Sequence, residues 1–268
     1  VPGEDLVFKL TPAHMEVLEP LIDATVANEH LLVIGGEQLT KRRIATWQGS
    51  LLPRAVFVNE YGPPETGVGG STHWIADRLA SANESGAVPI GRPICGTSLY
   101  VADEDLELVP MGVPGELLIG GAGVAQSYVN QPAHTAEQFI PNPFGGVQGE
   151  RLYRTGDIVR WLDSGDLEYI GRADTQIKIR GFRIELGEIE GVMLRHARVK
   201  DAVAVGRRDG SGRDHVVVYV VAHQNSGGDE VAWSEADHDL KLASTNNLTN
   251  ELRAHAQRLL PAYMRPSA

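Results

Sequence analysis

Asp157 stands behind Thr155-Gly156 at the start of an alternating apolar run. A carboxylate fixed there can accept both vicinal hydroxyls of a ribose, or it can simply shape a turn. Tyr61, beside Gly62-Pro63-Pro64, offers a flat face to a purine or packs as an ordinary core aromatic. Glu65 leaves room for a hard cation held by one carboxylate together with substrate phosphates. The surrounding segment 153–190, YRTGDIVRWLDSGDLEYIGRADTQIKIRGFRIELGEIE, combines glycine turns, carboxylates and a basic alternating strand. Such a segment can serve as a platform for a phosphorylated, ribose-bearing substrate.

Other chemistries find little support. The nine histidines are scattered, and none joins a second histidine and a carboxylate at helical ligand spacing. Ser71 and Ser127 lack a nucleophile elbow, and Cys95 has no local activator. Gly35-Gly36 and the glycines at 120, 121 and 123 form neither GxGxxG nor GxxxxGK[ST], so they read as turns beside strands. No covalent nucleophile, Rossmann site or P-loop is implied.

These residues need a scaffold. The length of 268 residues and 42% hydrophobic content predict two unequal domains with a real core. A net charge of −11 without a basic run argues against nucleic acid. The absence of any apolar stretch near 18 residues argues against a membrane span. One cysteine and no signal-like segment suggest a reducing, cytoplasmic setting, and the ends of the chain suggest a piece of something longer.

Spacing predicts a helix over 13–27 with Met15, Leu18, Leu21 and Ile22 inward. Strands are expected at 31–34, 55–58, 98–101, 116–119, 157–161 and 167–170, with a loop over 59–66 and a tight turn at 163–166. Ligands collect at such strand ends in open sheets. Beyond 174 come a strand over 176–180, a helix with Leu186, Ile189, Val192 and Met193 inward, and strands at 201–205 and 216–221. A polar surface insertion is expected over 223–246, then a helix over 248–260 burying Leu252, Ala256, Leu259 and Leu260. The fold class is α/β, a β-rich body followed by a smaller α+β unit.

The order of motifs carries a resemblance. Asn59-Glu60-Tyr61-Gly62-Pro63-Pro64-Glu65 resembles NxYGPTE, and residues 115–125 resemble GELxIxGxGVA. Tyr153-Arg154-Thr155-Gly156-Asp157 matches Y[RK]TGD, residues 171–190 resemble GRxDxQVKIRGxRIELGEIE, and 260–264 match LPxYM. Together they resemble the adenylation domain of a nonribosomal peptide synthetase, in the superfamily of adenylate-forming enzymes.

That resemblance implies a reaction of ATP with an amino acid to give an aminoacyl-AMP and pyrophosphate, then transfer to the phosphopantetheine thiol of a peptidyl carrier domain. It implies Tyr61 stacked on adenine, Asn59 at the adenine edge, Asp157 on the ribose, Arg172 near ribose and phosphate, Tyr169 close to the nucleotide, and Glu65 on Mg2+. It implies a division into residues 1–173, a hinge at Asp174, and a small domain over 175–268 that presents a thiolation face near Gly181. A neighbouring condensation domain and a small helper protein are further candidate partners. Three departures stand out. Pro64 replaces a threonine, the upstream phosphate loop is missing, and so is the lysine motif expected after LPxYM, which makes this piece alone an inactive one.

The family's side-chain selectors fall on Lys9, Val33, Gly35, Glu60, Val68 and Gly69. The order K-V-G-E-V-G resembles the pattern for asparagine, whereas the aspartate pattern carries histidine at the place of Glu60. A side-chain amide can accept from Lys9 and donate to Glu60, while a carboxylate would face the like charge of Glu60. A carboxylate–CoA ligase and a noncatalytic module that docks a carrier or helper protein are the alternatives.

Overall fold

Three short apolar runs lie parallel at the head of the chain: β1 (Val7–Leu10), β2 (Leu31–Gly35) and β3 (Val56–Tyr61). The computed structural model describes residues 4–22, 28–75, 86–145, 149–174, 176–179, 181–208, 214–223 and 236–267. It divides into two units, Val1–Asp174 and Thr175–Ala268, each with its own core.

In the first unit, β4 (Ser71–Ile75) runs antiparallel to β3, and β5 (Arg92–Pro93) closes the order β1-β2-β3-β4-β5. Between the strands, helices α1 (Pro12–Leu18) and α2 (Lys41–Thr46) bury Met15 and Ile44 with Leu32, Ile34, Trp47 and Phe57. Side chains alternate across a strand. With Leu32, Ile34 and Phe57 in that core, the register Lys9↔Val33↔Val58 and Gly35↔Glu60 assigns Lys9, Val33, Gly35 and Glu60 to the opposite face. The predicted long helix stops early. Pro20 has no N–H to donate to the Glu16 carbonyl and continue the helix, so a 3-10 turn spans Glu19–Leu21 and leaves Leu18 and Leu21 exposed. Residues 23–27 lie outside the described residues. The expected loop also starts later, because β3 runs on through Asn59, Glu60 and Tyr61 and only Gly62 leaves it.

A second sheet has the order β10-β9-β7-β6 and is antiparallel throughout: β6 (Thr97–Ala102), β7 (Gly115–Gly121), β8 (Phe139–Pro141), β9 (Arg151–Trp161) and β10 (Leu167–Arg172), with β8 added beside β9. Helix α3 (Pro132–Gln138) leads into β8. The hairpin between β9 and β10 turns at Gly165, as expected. β9 begins six residues before the predicted start, so Tyr153, Thr155, Asp157 and Val159 are alternate buried residues of one strand.

In the second unit, β11 (Ile177–Ile179) and β12 (Phe182–Ile184) form a hairpin through Gly181, which takes a left-handed φ of 79° that glycine alone adopts freely. Helix α4 (Leu186–Leu194) buries the predicted stripe of Leu186, Ile189, Val192 and Met193 against β13 (Val199–Arg208), paired with β14 (Asp214–Ala222). The polar segment expected as an insertion is helical from Ala236, where α5 (Ala236–Leu259) begins. Among the described side chains its buried row is Leu252 and Ala256, continued four residues on by Leu260 just past its end, and Leu259 is exposed. Among the described residues no helix is long and apolar enough to cross a membrane.

Candidate functional site

β3 ends in Tyr61, and its hydroxyl donates a short hydrogen bond to Asp157 Oδ2 on β9. Asp157 is buried, and Arg172 Nη1 donates to its other oxygen at 2.5 Å. The sheet register makes this meeting, since Asp157 and Arg172 are direct partners across β9 and β10. Thr155 locks the strand locally: its hydroxyl donates to the Leu117 carbonyl at 2.8 Å and accepts from the Asp157 amide at 3.0 Å.

All three nitrogens of the Arg172 guanidinium donate hydrogen bonds. Nε and Nη2 donate to the two oxygens of Asp174 at 2.7 and 2.6 Å, and Nη2 also donates to the Thr155 carbonyl at 3.1 Å. One guanidinium therefore joins Asp157 to Asp174, the last residue of the first unit. Gly156 makes room for it. Its φ is 68°, and an added Cβ would stand 2.9 Å from Arg172 Nη2 and 3.0 Å from Asp174 Oδ2.

Electrostatics follow from this packing. Burial, then the negative charge of Asp157 and the bond to it, pushes the Tyr61 phenol well above its ordinary value, so Tyr61 stays a neutral donor. Burial and the Asp157 charge raise Tyr169 to about 12. Burial pulls Arg172 down, but the Asp174 bond and the charges of Asp157 and Asp174 outweigh it and hold the guanidinium above its usual range.

Glu65 belongs to a second group of contacts. It lies in a 3-10 turn, Pro64–Thr66, and its Oε1 accepts from Tyr128 Oη at 2.8 Å. Burial, the Tyr153 hydroxyl and Glu65 raise the Tyr128 phenol, which keeps it protonated. The Thr66 hydroxyl donates to the Pro63 carbonyl at 3.2 Å, so that bond holds the turn together where Pro64 offers no hydroxyl. Among the described residues no three or more His, Cys, Asp or Glu side chains gather as a metal site. One carboxylate oxygen plus substrate phosphates is nevertheless a donor set suited to Mg2+, so Glu65 fits the role of a lone protein ligand.

A third group forms the face opposite the β1–β3 core. Lys9 Nζ lies 2.5 Å from Glu60 Oε2, with side chains 59% and 17% exposed. The two glycines back onto Glu60: a Cβ on Gly35 would stand 2.7 Å from its carbonyl oxygen, and one on Gly69 3.1 Å from Oε1. Val33 is half-buried beside Lys9, while Val68 is exposed with a left-handed φ of 74°. Asn59 is buried and gives its amide hydrogens to the carbonyls of Val88 at 3.3 Å and Pro89 at 2.8 Å. Gly181 lies in the second unit, next to Phe182, whose ring stacks on Tyr263 at 4.5 Å.

The structure thus joins Tyr61, Asp157, Arg172 and Asp174 directly, joins Lys9, Gly35, Glu60 and Gly69 separately, and seats Glu65 on Tyr128. Sequence reasoning missed Tyr128, Tyr153 and Thr155 as parts of the site. For Tyr128 no periodicity or turn signal exists, because its partner is 63 residues away. Thr155 could have been found, since a hydroxyl two residues before a buried strand carboxylate can cap that residue's amide.

Residues 7–129 match the AMP-binding enzyme family, and residues 188–268 match the AMP-binding enzyme C-terminal domain. The chain is 37% identical over 265 residues to tyrocidine synthase 1 of Brevibacillus parabrevis, covering 99% of this chain and 21% of that protein. Among solved structures it is similar to NpsA-ThdA, an artificially fused adenylation–PCP di-domain from Klebsiella oxytoca, at a TM-score of 0.72 and 26% identity over 98% of this chain and 44% of that one. It is also similar to the Vibrio cholerae adenylation domain AlmE in complex with glycyl-adenosine-5'-phosphate, at 0.73 and 25% over 97% and 45%. The chain therefore spans less than half of these solved chains and a smaller share of the synthase.

Proposed function

Because the chain belongs to the AMP-binding enzyme family, among the adenylation domains of nonribosomal peptide synthetases, we propose that it takes part in activating L-asparagine as asparaginyl-AMP and passing it to a carrier-bound pantetheine thiol. The observation that carries this reading is the buried Asp157 carboxylate, gripped by Tyr61 and Arg172 at the end of β3. A carboxylate has about four lone-pair sites. Tyr61 and Arg172 use one on each oxygen, which leaves acceptor capacity for two ribose hydroxyls. Tyr61 borders the adenine with its ring, Asn59 lies along the adenine edge, and Tyr169 flanks the nucleotide.

In the first step the asparagine carboxylate attacks the α-phosphorus of ATP, the bond to the bridging oxygen breaks, and pyrophosphate leaves with the electron pair. The nucleophile is already anionic, so the protein needs only to orient the reactants and balance their charge. Arg172 adds positive charge beside the ribose and phosphate, and Glu65 holds the divalent cation. Bound Mg2+ supplies charge neutralisation around the α-phosphate. In the second step the thiol sulfur gives up its proton to solvent and attacks the acyl carbon, the acyl C–O bond to phosphate breaks, and AMP leaves with the electron pair. Asp174 is the pivot that changes which face of residues 175–268, including Gly181, serves each step.

The Lys9–Glu60 pair selects the side chain. An asparagine amide inserts with its oxygen accepting from Lys9 and its NH2 donating to Glu60, so each charge keeps a hydrogen-bond partner. An aspartate carboxylate about 4 Å from Glu60 meets a repulsion of roughly 1 to 4 kcal/mol, depending on how much water screens it. With Lys9 more than half exposed, the lower end applies. The test is amino-acid-dependent exchange of labelled pyrophosphate into ATP by the full synthetase chain. Asparagine is expected to exceed aspartate by about tenfold, equivalent to about 1.4 kcal/mol. Equal exchange or a preference for aspartate would overturn the selectivity, and a failure of every amino acid to support exchange would overturn the activity.

A further inference from the structure

We infer that Tyr128 is the positioning residue for Glu65, fixing one oxygen of the carboxylate that holds a divalent cation; this rests on the adenylation reading above. The hydroxyl of Tyr128 donates to Glu65 Oε1 at 2.8 Å across 63 residues of sequence. Four contacts settle where that hydroxyl points. The ring stacks on His134 at 4.6 Å with 15° between planes, and meets Phe139 edge-on at 5.4 Å. The Tyr128 amide donates to Thr135 Oγ1 at 3.1 Å, and the fully buried Tyr153 brings its hydroxyl to 3.4 Å. Three of these partners, His134, Thr135 and Phe139, come from α3 and the start of β8. The turn carrying Glu65 is fastened to the same region by its main chain, because Ala125 N donates to the Glu65 carbonyl at 2.8 Å.

An exposed glutamate swings about three side-chain bonds, and each must be frozen before its oxygen can serve a hard cation at a fixed distance. A neutral donor on one oxygen removes that freedom without cancelling the carboxylate charge. Partners of this outer kind orient the ligand, and losing one typically weakens metal affinity about tenfold to a hundredfold.

Mn2+ serves as the probe, its binding to the full synthetase chain with ATP followed by electron paramagnetic resonance. Tyr128→Phe is expected to weaken Mn2+ at least about tenfold. In a Glu65→Gln background the same change should cost nothing further. 4-Aminophenylalanine at position 128, which keeps an N–H donor, should restore the affinity. If the phenylalanine chain does not melt cooperatively, 4-fluorophenylalanine fills the hydroxyl's volume without its proton and takes its place. Undiminished Mn2+ affinity in the donor-free chain, or a loss that persists beside Glu65→Gln, overturns the inference while the functional reading stands. Failure of the unsubstituted chain to bind ATP overturns that reading, and the inference with it.

Discussion

Removing Arg172 while keeping Asp157 should be the most costly single change at this site. The Asp157 side chain is 4% exposed, and Arg172→Met would strand it without the 2.5 Å charge-assisted bond it now accepts. Breaking one partner of a buried pair costs about 3 to 5 kcal/mol, most of it the penalty of an uncompensated charge. The two bonds to Asp174 add little, because that side chain is 48% exposed and such pairs contribute at most about 1 kcal/mol. Asp157→Asn is gentler: the amide oxygen still accepts from Tyr61, and Arg172 keeps Asp174, so the loss is about 1 to 3 kcal/mol. In the double variant no charge is stranded, and the combined loss should fall about 2 kcal/mol short of the sum. Denaturant unfolding of the four chains measures this directly, and for a unit of this size Arg172→Met should lower the Tm by about 6 to 20 °C. Losses that add to within about 0.5 kcal/mol would refute the reasoning, since they would mean that neither charge depends on the other.

Gly156→Ala should destabilise the first unit by at least about 1 kcal/mol from its left-handed φ alone, and should further weaken nucleotide binding by pressing on the Arg172–Asp174 pair; unchanged urea unfolding and unchanged binding would contradict this. Glu60→His should narrow the preference for asparagine over aspartate in the pyrophosphate exchange assay, and an unaltered ratio would show that Glu60 does not face the substrate. Alkaline titration followed by the ultraviolet absorbance of phenolate should show Tyr61, Tyr128 and Tyr169 ionising above the ordinary phenol value near 10. The folded-state value of Tyr61 lies above its unfolded value near 10, so burial of the neutral phenol, and after it the Asp157 charge and bond, contribute stability that is full below that pH and is lost as pH rises through the folded value. Tyr61→Phe should remove that alkaline loss; an identical pH profile would place the sensitivity elsewhere.

Residues 153–190 were legible because local rules govern them: alternation, glycine turns and a helical stripe all lie within a few residues of one another. Asp157 and Arg172 could each be singled out, but their contact is a register fact of β9 and β10. Conversely, the helical start of α5 at Ala236 was hidden by polar composition, which reads as a loop when only apolar periodicity is counted. Leu18 and Leu21 show the opposite error, a convincing stripe cut short by the missing N–H of Pro20.

Which side chains can do chemistry, and the order of motifs that carries family membership, could be read from the linear chain, because residue type and short spacing need no partner. It took the folded chain to bring one guanidinium to both Asp157 and Asp174, to back Gly35 and Gly69 onto Glu60, and to set the Tyr128 hydroxyl on Glu65. Those contacts join residues up to 63 positions apart, as Glu65 and Tyr128 are. Their energies depend on burial and direction, which chain folding sets and a linear pattern does not contain.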